Sequence, residues 1–165
     1  MARGRLIATI LAVVLLAAAC GRPDSGFDIH SLESAIPASL VPDDPSVVTD
    51  VSCPAPATSE ATTVACGASV AGVPIEVSAA ISADGTVEIA TDATLIDLDG
   101  VAAAAAQRLN NDLGTDTKVA CDGSVVVSIA DTTFGCTATD GFGVERQLVV
   151  TILDDTGSWS VDLAR

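Results

Sequence analysis

Apolar residues recur along this chain at two spacings, and the spacings sort it into helices and strands. Ile29, Leu32, Ile36 and Leu40 step by three and four residues, which puts them on one face of a helix. Asp28 or Ser31 can cap its start. Pro37 lies inside the pattern. It lacks an N–H, so a kinked or split helix is expected there. Pro42, Asp43, Asp44 and Pro45 end the helix, and Val47 to Ser52 reads as a first strand. Cys53-Pro54-Ala55-Pro56 cannot enter a sheet interior, because prolines donate no ladder bond. Thr62 to Ala71 reads as a strand through Cys66, and Ala71-Gly72-Val73-Pro74 as a turn. Ile75, Val77, Ala79 and Ile81 then alternate with Glu76, Ser78, Ala80 and Ser82. A period of two is the mark of a half-buried strand. Asp84-Gly85 predicts a type I′ hairpin turn, with Val87 and Ile89 continuing the apolar face.

Thr91 to Asp99 reads as a link, with Asp97 or Asp99 capping a second helix. Leu98, Ala102, Ala105, Leu109 and Leu113 fall on one face of that helix. The alanine run from Ala102 to Ala106 favours helix, and Gly114 suits the position just past its end. Small alanines on that face let the helix lie close to a sheet. Thr117 to Cys121, Val125 to Ile129, Thr133 to Ala138, Val144 to Leu153 and Ser158 to Leu163 are the remaining strands.

The two halves match in order and spacing. Cys53 and Cys121 are offset by 68 residues, Cys66 and Cys136 by 70, Ile81 and Ile152 by 71, and Gly85 and Gly157 by 72. Loop insertions of one or two residues explain the drift, and a duplicated unit explains the rest. The expected fold is α+β: two tandem repeats, 28–93 and 94–165, each one helix packed on an antiparallel sheet of about four strands.

The first 19 residues stand apart. Arg3 and Arg5 precede an apolar run, Leu6 to Ala19, that ends in Ala17-Ala18-Ala19. The run is short of the roughly 20 apolar residues a spanning helix needs and has the flanks of a secretory signal. Cys20 comes directly after it and resembles a bacterial lipobox cysteine, although Ala17 stands where Leu, Val or Ile is usual. That resemblance implies a diacylated Cys20 holding the protein on the outer face of the cytoplasmic membrane. Residues 20–27 then form a flexible tether. Ordinary cleavage after Ala19, releasing a soluble secreted chain, is the alternative.

Charge narrows the partners. The net charge is −15, and removing Arg3 and Arg5 with the signal leaves five bases against 22 acids, or −17. Such a chain is unsuited to nucleic acid, whose binding needs Lys and Arg on the phosphates. It also has no electrostatic attraction to anionic headgroups, so membrane contact falls to the lipid alone. With three Phe, one Trp and no Tyr, the core is aliphatic.

With Cys20 set aside, four cysteines allow three pairings. The repeat selects Cys53–Cys66 and Cys121–Cys136. The absence of Cys-x-x-Cys and the single histidine, His30, leave no metal set. No catalytic set is expected either. His30 sits beside the tether, and no Gly-x-Ser-x-Gly elbow occurs. Asp43-Asp44 and Asp154-Asp155 are adjacent acids in an acid-rich chain, the latter in a turn. Asp97-x-Asp99-Gly100 is a calcium-loop fragment without its later ligands, and reads as linker and helix cap. No cofactor is expected. Phe142, in Thr139-Asp140-Gly141-Phe142-Gly143, is the candidate partner contact, an aromatic on an adaptable hairpin tip. Trp159 and Phe134 read as core.

Val51-Ser52-Cys53-Pro54, Cys66 thirteen residues on, an alternating strand and Asp84-Gly85 come after an amphipathic helix. This first unit is similar to a domain of uncharacterised role common in actinobacterial secreted proteins and lipoproteins. The second unit resembles it in Val119-Ala120-Cys121, Phe134-Gly135-Cys136-Thr137-Ala138 and Asp155-Thr156-Gly157-Ser158-Trp159. It departs at Asp122, where proline is frequent, and the first unit departs at Pro37. The resemblance implies an exported envelope protein with one disulfide per domain and implies no reaction. In outline the plan is also similar to beta-lactamase inhibitor proteins, an analogy of architecture. The expected role is a non-enzymatic envelope lipoprotein that binds an envelope or secreted protein. The alternatives are a secreted inhibitor or small-ligand-binding protein acting through the second-repeat hairpin, and a hydrolase with facing carboxylates.

Overall fold

The computed structural model describes residues 28–54, 62–114 and 116–164. The signal segment, Cys20 and the tether lie outside them. In chain order the elements are α1 (Ile29–Leu40), a 3-10 turn (Pro45–Val47), β1 (Val48–Ser52), β2 (Thr62–Val70), β3 (Val73–Ile81), β4 (Val87–Thr91), β5 (Leu95–Asp97), α2 (Leu98–Leu113), β6 (Lys118–Cys121), β7 (Val125–Val127), β8 (Thr133–Thr139), β9 (Glu145–Ile152) and β10 (Trp159–Leu163). The class is α+β. One sheet has the order β1-β2-β3-β4, a second β10-β9-β8-β6, and β5 pairs with β7 in a separate two-stranded ribbon. All of these pairings are antiparallel.

Period-two alternation builds the first core. Val64, Cys66, Ala68 and Val70 from β2 meet Val77, Ala79 and Ile81 from β3, with Leu32 and Ile36 of α1 laid across them. The Asp28 side chain caps α1 by accepting from the His30 N–H at 3.1 Å and the Ser31 hydroxyl at 2.7 Å. α1 is not split at Pro37; it runs on to Leu40. The proline falls in the last turn, where few bonds remain to lose. The Val41 N–H still reaches the Pro37 carbonyl at 3.0 Å, and neighbouring Ile36 is fully buried.

The type I′ turn forms elsewhere than predicted. Gly85 has φ 86° but Asp84 is not in the positive region. Ser82 and Thr86 bond across a three-residue loop, and the Asp84 carboxylate accepts the Thr86 N–H at 3.0 Å. This is a type I turn closed by a left-handed glycine, the usual three-residue hairpin. The type I′ turn is Ala71-Gly72, with φ 49° and 81°, between the paired Val70 and Val73. Sequence favours Asp-Gly because Ala is a poor left-handed residue. The register of two nine-residue strands overrides that cost.

α2 begins and ends as its sequence predicts. The Asp97 carboxylate accepts the Asp99 N–H at 3.2 Å and the Gly100 N–H at 3.0 Å, and Gly114 closes the helix at φ 66°. Leu98, Val101, Ala102 and Ala105 are buried. The second core combines Leu98 and Val101 with Cys136, Ala138, Leu148, Val150 and Ile152.

The largest departure from expectation lies between the cores. Residues 91–99 contain β5, and Val125–Val127 does not join the second sheet. The register Leu95↔Val127, Ile96↔Val126, Asp97↔Val125 makes them a ribbon. Leu95, Val125 and Val127 pack on the first core. Ile96 and Val126 pack on the second. Side chains alternate across a strand, so one ribbon serves both cores. Polar contacts pin it at each end. The Leu98 N–H donates to the Ser124 carbonyl at 2.9 Å and the Ser128 N–H to the Thr94 carbonyl at 2.8 Å. The Ser124 hydroxyl donates to Asp44 at 2.8 Å, and the Ser128 hydroxyl to the Asp154 carbonyl at 2.8 Å.

Candidate functional site

Both cysteine pairs are bonded as the repeat predicts. Cys121 and Cys136 face one another in the β6–β8 register, with Cα atoms 3.9 Å apart. Cys53 lies just past β1 and reaches Cys66 of β2, Cα atoms 4.3 Å apart. The Cys53 N–H donates to the Glu33 carboxylate at 3.0 Å, which fixes the bridge to α1. Two disulfides are consistent with an exported protein. No described helix is long and apolar enough to cross a membrane.

Phe142 stands at the tip of the β8–β9 hairpin and is 91% exposed. The tip is tied down rather than adaptable. The Asp140 N–H donates to the Val144 carbonyl at 3.0 Å, and the Gly143 N–H to the Asp140 carbonyl at 2.9 Å. The Asp140 carboxylate accepts the N–H groups of Phe142 and Val144, both at 2.9 Å. Gly143 takes the left-handed position, φ 82°. An aspartate accepting from the residues after it is a self-contained turn. It presents the ring to solvent on a backbone whose conformation is already fixed. Val144 beside it is 50% exposed. Asp140 as the organiser of this tip was readable from Asp140-Gly141-x-Gly143, since Asp and Gly supply the acceptor and the left-handed residue of such turns.

The other aspartate turn carries a pH signature. In the β9–β10 loop, Asp154 Oδ1 accepts the Thr156 N–H at 2.9 Å, the Thr156 hydroxyl at 2.7 Å and the Ser158 N–H at 3.1 Å. The Ser158 and Thr156 hydroxyls and the Ser158 N–H lower its pKa to about 2. The unfolded value is about 3.9. A pKa depressed by folding contributes stability above the unfolded value, and that stability is lost as pH falls through the folded value. The stability gap between wild type and Asp154→Ala is therefore expected to be level from pH 7 to about 5, then to narrow between about pH 4 and 2. Urea unfolding at a series of pH values checks this; a gap unchanged at pH 2 contradicts it.

The remaining candidates are dispersed. His30 is exposed, its Nδ1 3.4 Å from Glu33. Asp44 is held below the usual carboxylate range by the Ser46 hydroxyl and then that of Ser124, a structural tie across the halves. Asp97 and Asp99 belong to the α2 cap. Among the described residues, no cluster of three or more His, Cys, Asp or Glu is arranged to hold a metal. A shallow, open depression on the outer face of the first sheet is lined by Ala65, Cys66, Gly67, Pro74, Ile75 and Glu76. It holds a single carboxylate. Phe134 and Trp159 are half-buried against the second core.

No family model, no curated protein and no solved structure matches the chain. The likeness to the actinobacterial domain rests on the short motifs alone.

Proposed function

We propose that this is a non-enzymatic protein-binding module of the cell envelope, tethered through a lipidated Cys20 and contacting its partner through Phe142. The observation that carries the reading is the 91% exposure of Phe142 on a tip whose backbone is already bonded. A large aromatic on a backbone already held in one conformation costs little backbone entropy to bury, which suits an interface anchor. The duplicated-unit reading has support too. Each four-stranded sheet comes after one helix, the strand orders correspond, and each disulfide joins corresponding strand positions. The likeness to an actinobacterial lipoprotein domain is part of the same proposal.

In-cell cross-linking of the full-length protein and subsequent pull-down test it. Wild type is expected to give one dominant protein adduct. Phe142→Ala is expected to weaken the adduct about tenfold or more, as at an interface hot spot, with no change in melting temperature. An adduct of unchanged yield rejects Phe142 as the contact. Cys20→Ser separates the two versions of the reading. Loss of the adduct on delipidation marks an envelope tether, and retention in the released fraction marks a secreted inhibitor.

A further inference from the structure

Among the described residues, the outer edge of β10 is open, and its residues fit a second copy of the same edge. The bonds Leu153 N–H to Ser158 carbonyl and Ala164 N–H to Gln147 carbonyl set the phase of the β9–β10 ladder. In an antiparallel pair, hydrogen-bonded and non-bonded positions alternate. With the register Trp159↔Ile152, Val161↔Val150 and Leu163↔Leu148, residues 159, 161 and 163 are the non-bonded positions. Their N–H and C=O groups point away from β9, and β10 ends its sheet. Their side chains lie on the core face, where Trp159 and Val161 are half-buried but Leu163 is 61% exposed.

In the four-stranded sheets, the β1 and β6 edges are blunted in ways β10 is not. β1 has an irregular register between Thr49 and Ser52, with Asp50 at φ 52°. β6 has four residues, begins at Lys118 and packs against α2. β4 carries one acid next to its centre, Glu88, as β10 carries Asp162, but its apolar Val87 and Ile89 are buried or half-buried and it has no exposed large apolar residue such as Leu163. β10 pairs regularly over five residues and has no Lys, Pro or bulge. Bulges, lysines and prolines are the devices that keep a sheet edge from pairing.

We propose that two copies join antiparallel along β10 about a two-fold axis at Val161, continuing the β10-β9-β8-β6 sheet from one copy into the other. That register uses the free N–H and C=O of Trp159, Val161 and Leu163 on both strands. It sets Leu163 of one copy beside Trp159 of the other on the core face. On the outer face it sets Asp162 against Ser160, whose hydroxyl can donate to it. Centring on Asp162 instead would oppose two carboxylates, which disfavours that register. Such an interface is self-complementary, as a two-fold dimer requires. Its single strand pair is small, so the dimer is weak, on the order of 100 µM. Like-charged copies repel, so salt strengthens the association by screening. The inference is independent of Phe142, which lies on a hairpin tip away from this edge.

Sedimentation equilibrium of the exported chain across a concentration series tests it. Wild type is expected to dimerise, more tightly at about 0.5 M than at about 0.02 M salt. Val161→Pro removes a donor on the open edge, where prolines are tolerated because the N–H faces solvent, together with the half-buried valine side chain. It and Leu163→Lys are each expected to weaken the dimer about tenfold or more, while Phe142→Ala leaves it intact. Should Val161→Pro unfold, Leu163→Lys decides alone, because that side chain is exposed. A wild type that stays monomeric at millimolar concentration overturns the proposal and leaves the edge to a strand of another protein. A dimer that persists in Leu163→Lys also overturns it.

Discussion

Val127→Asp is expected to unfold the whole chain, including the sheet whose core it does not enter. Val127 is 5% exposed and packs in the first core with residues such as Val70 and Val77. A carboxylate there has no described partner and either protonates or remains buried as a charge. Either outcome costs several kcal/mol, added to about 2 kcal/mol of lost valine burial. Domains of this size hold only about 5–15 kcal/mol in reserve. The damage spreads because the same strand places Val126 in the second core and pairs it with Ile96. Trp159, the chain's single tryptophan, packs on that second core and so reports on the side opposite to the substitution. Its emission is expected to shift to the solvent-exposed wavelength in Val127→Asp. Native Trp159 emission with a melted first sheet would contradict the shared ribbon.

Replacing Cys121 and Cys136 together by alanine is expected to cost about 3–5 kcal/mol, the second large effect. The bridge closes a loop of 15 residues, worth about 3 kcal/mol in the loop-entropy account. The rest comes from packing, since Cys136 is 1% exposed among Leu148, Val150 and Ile152, and removing its sulfur leaves a void. Glu33 and α1 brace Cys53; at the second bridge the disulfide and the Asp122 N–H to Gly135 carbonyl bond, 3.0 Å, together hold β6 to β8 at that end of the sheet. Urea unfolding of the double variant measures the loss. A value under about 1 kcal/mol would show that strand pairing and α2 already hold β6 without the bond.

Much of this arrangement is legible in residue order alone, and the exceptions have physical causes. The bounds of α1 and α2 are legible because Asp28, Asp97 and Gly114 are capping residues beside clear three- and four-step apolar patterns. Long strands such as β2 and β3 are legible from alternation. The disulfide pairing is legible from matched spacing. The ribbon is not, because β5 and β7 have three residues each. Three residues are too few for a period to declare itself. One signal is present. Val125-Val126-Val127 and Leu95-Ile96 do not alternate, and an unbroken apolar run marks a strand covered on both faces. The turn at Asp84-Gly85 departs from expectation for a different reason. A dipeptide preference carries no strand register, and the register allots three residues to that loop and two to Ala71-Gly72. Phe142 stands out in the sequence as an aromatic between glycines. The rigidity of its loop comes from Asp140, a local acceptor that the Asp140-Gly141-x-Gly143 pattern signals once the turn is recognised.

Native-state hydrogen exchange on Val127→Ala tests the central claim, that both cores share one ribbon and open together. The amides of Val77 in the first core and Val150 in the second are the ones to monitor. In the wild type they are expected to exchange with the same opening free energy. In the variant both are expected to fall by the same amount, about 1–3 kcal/mol. A fall at Val77 with Val150 unchanged would mean two independent units that merely touch, and would contradict the account.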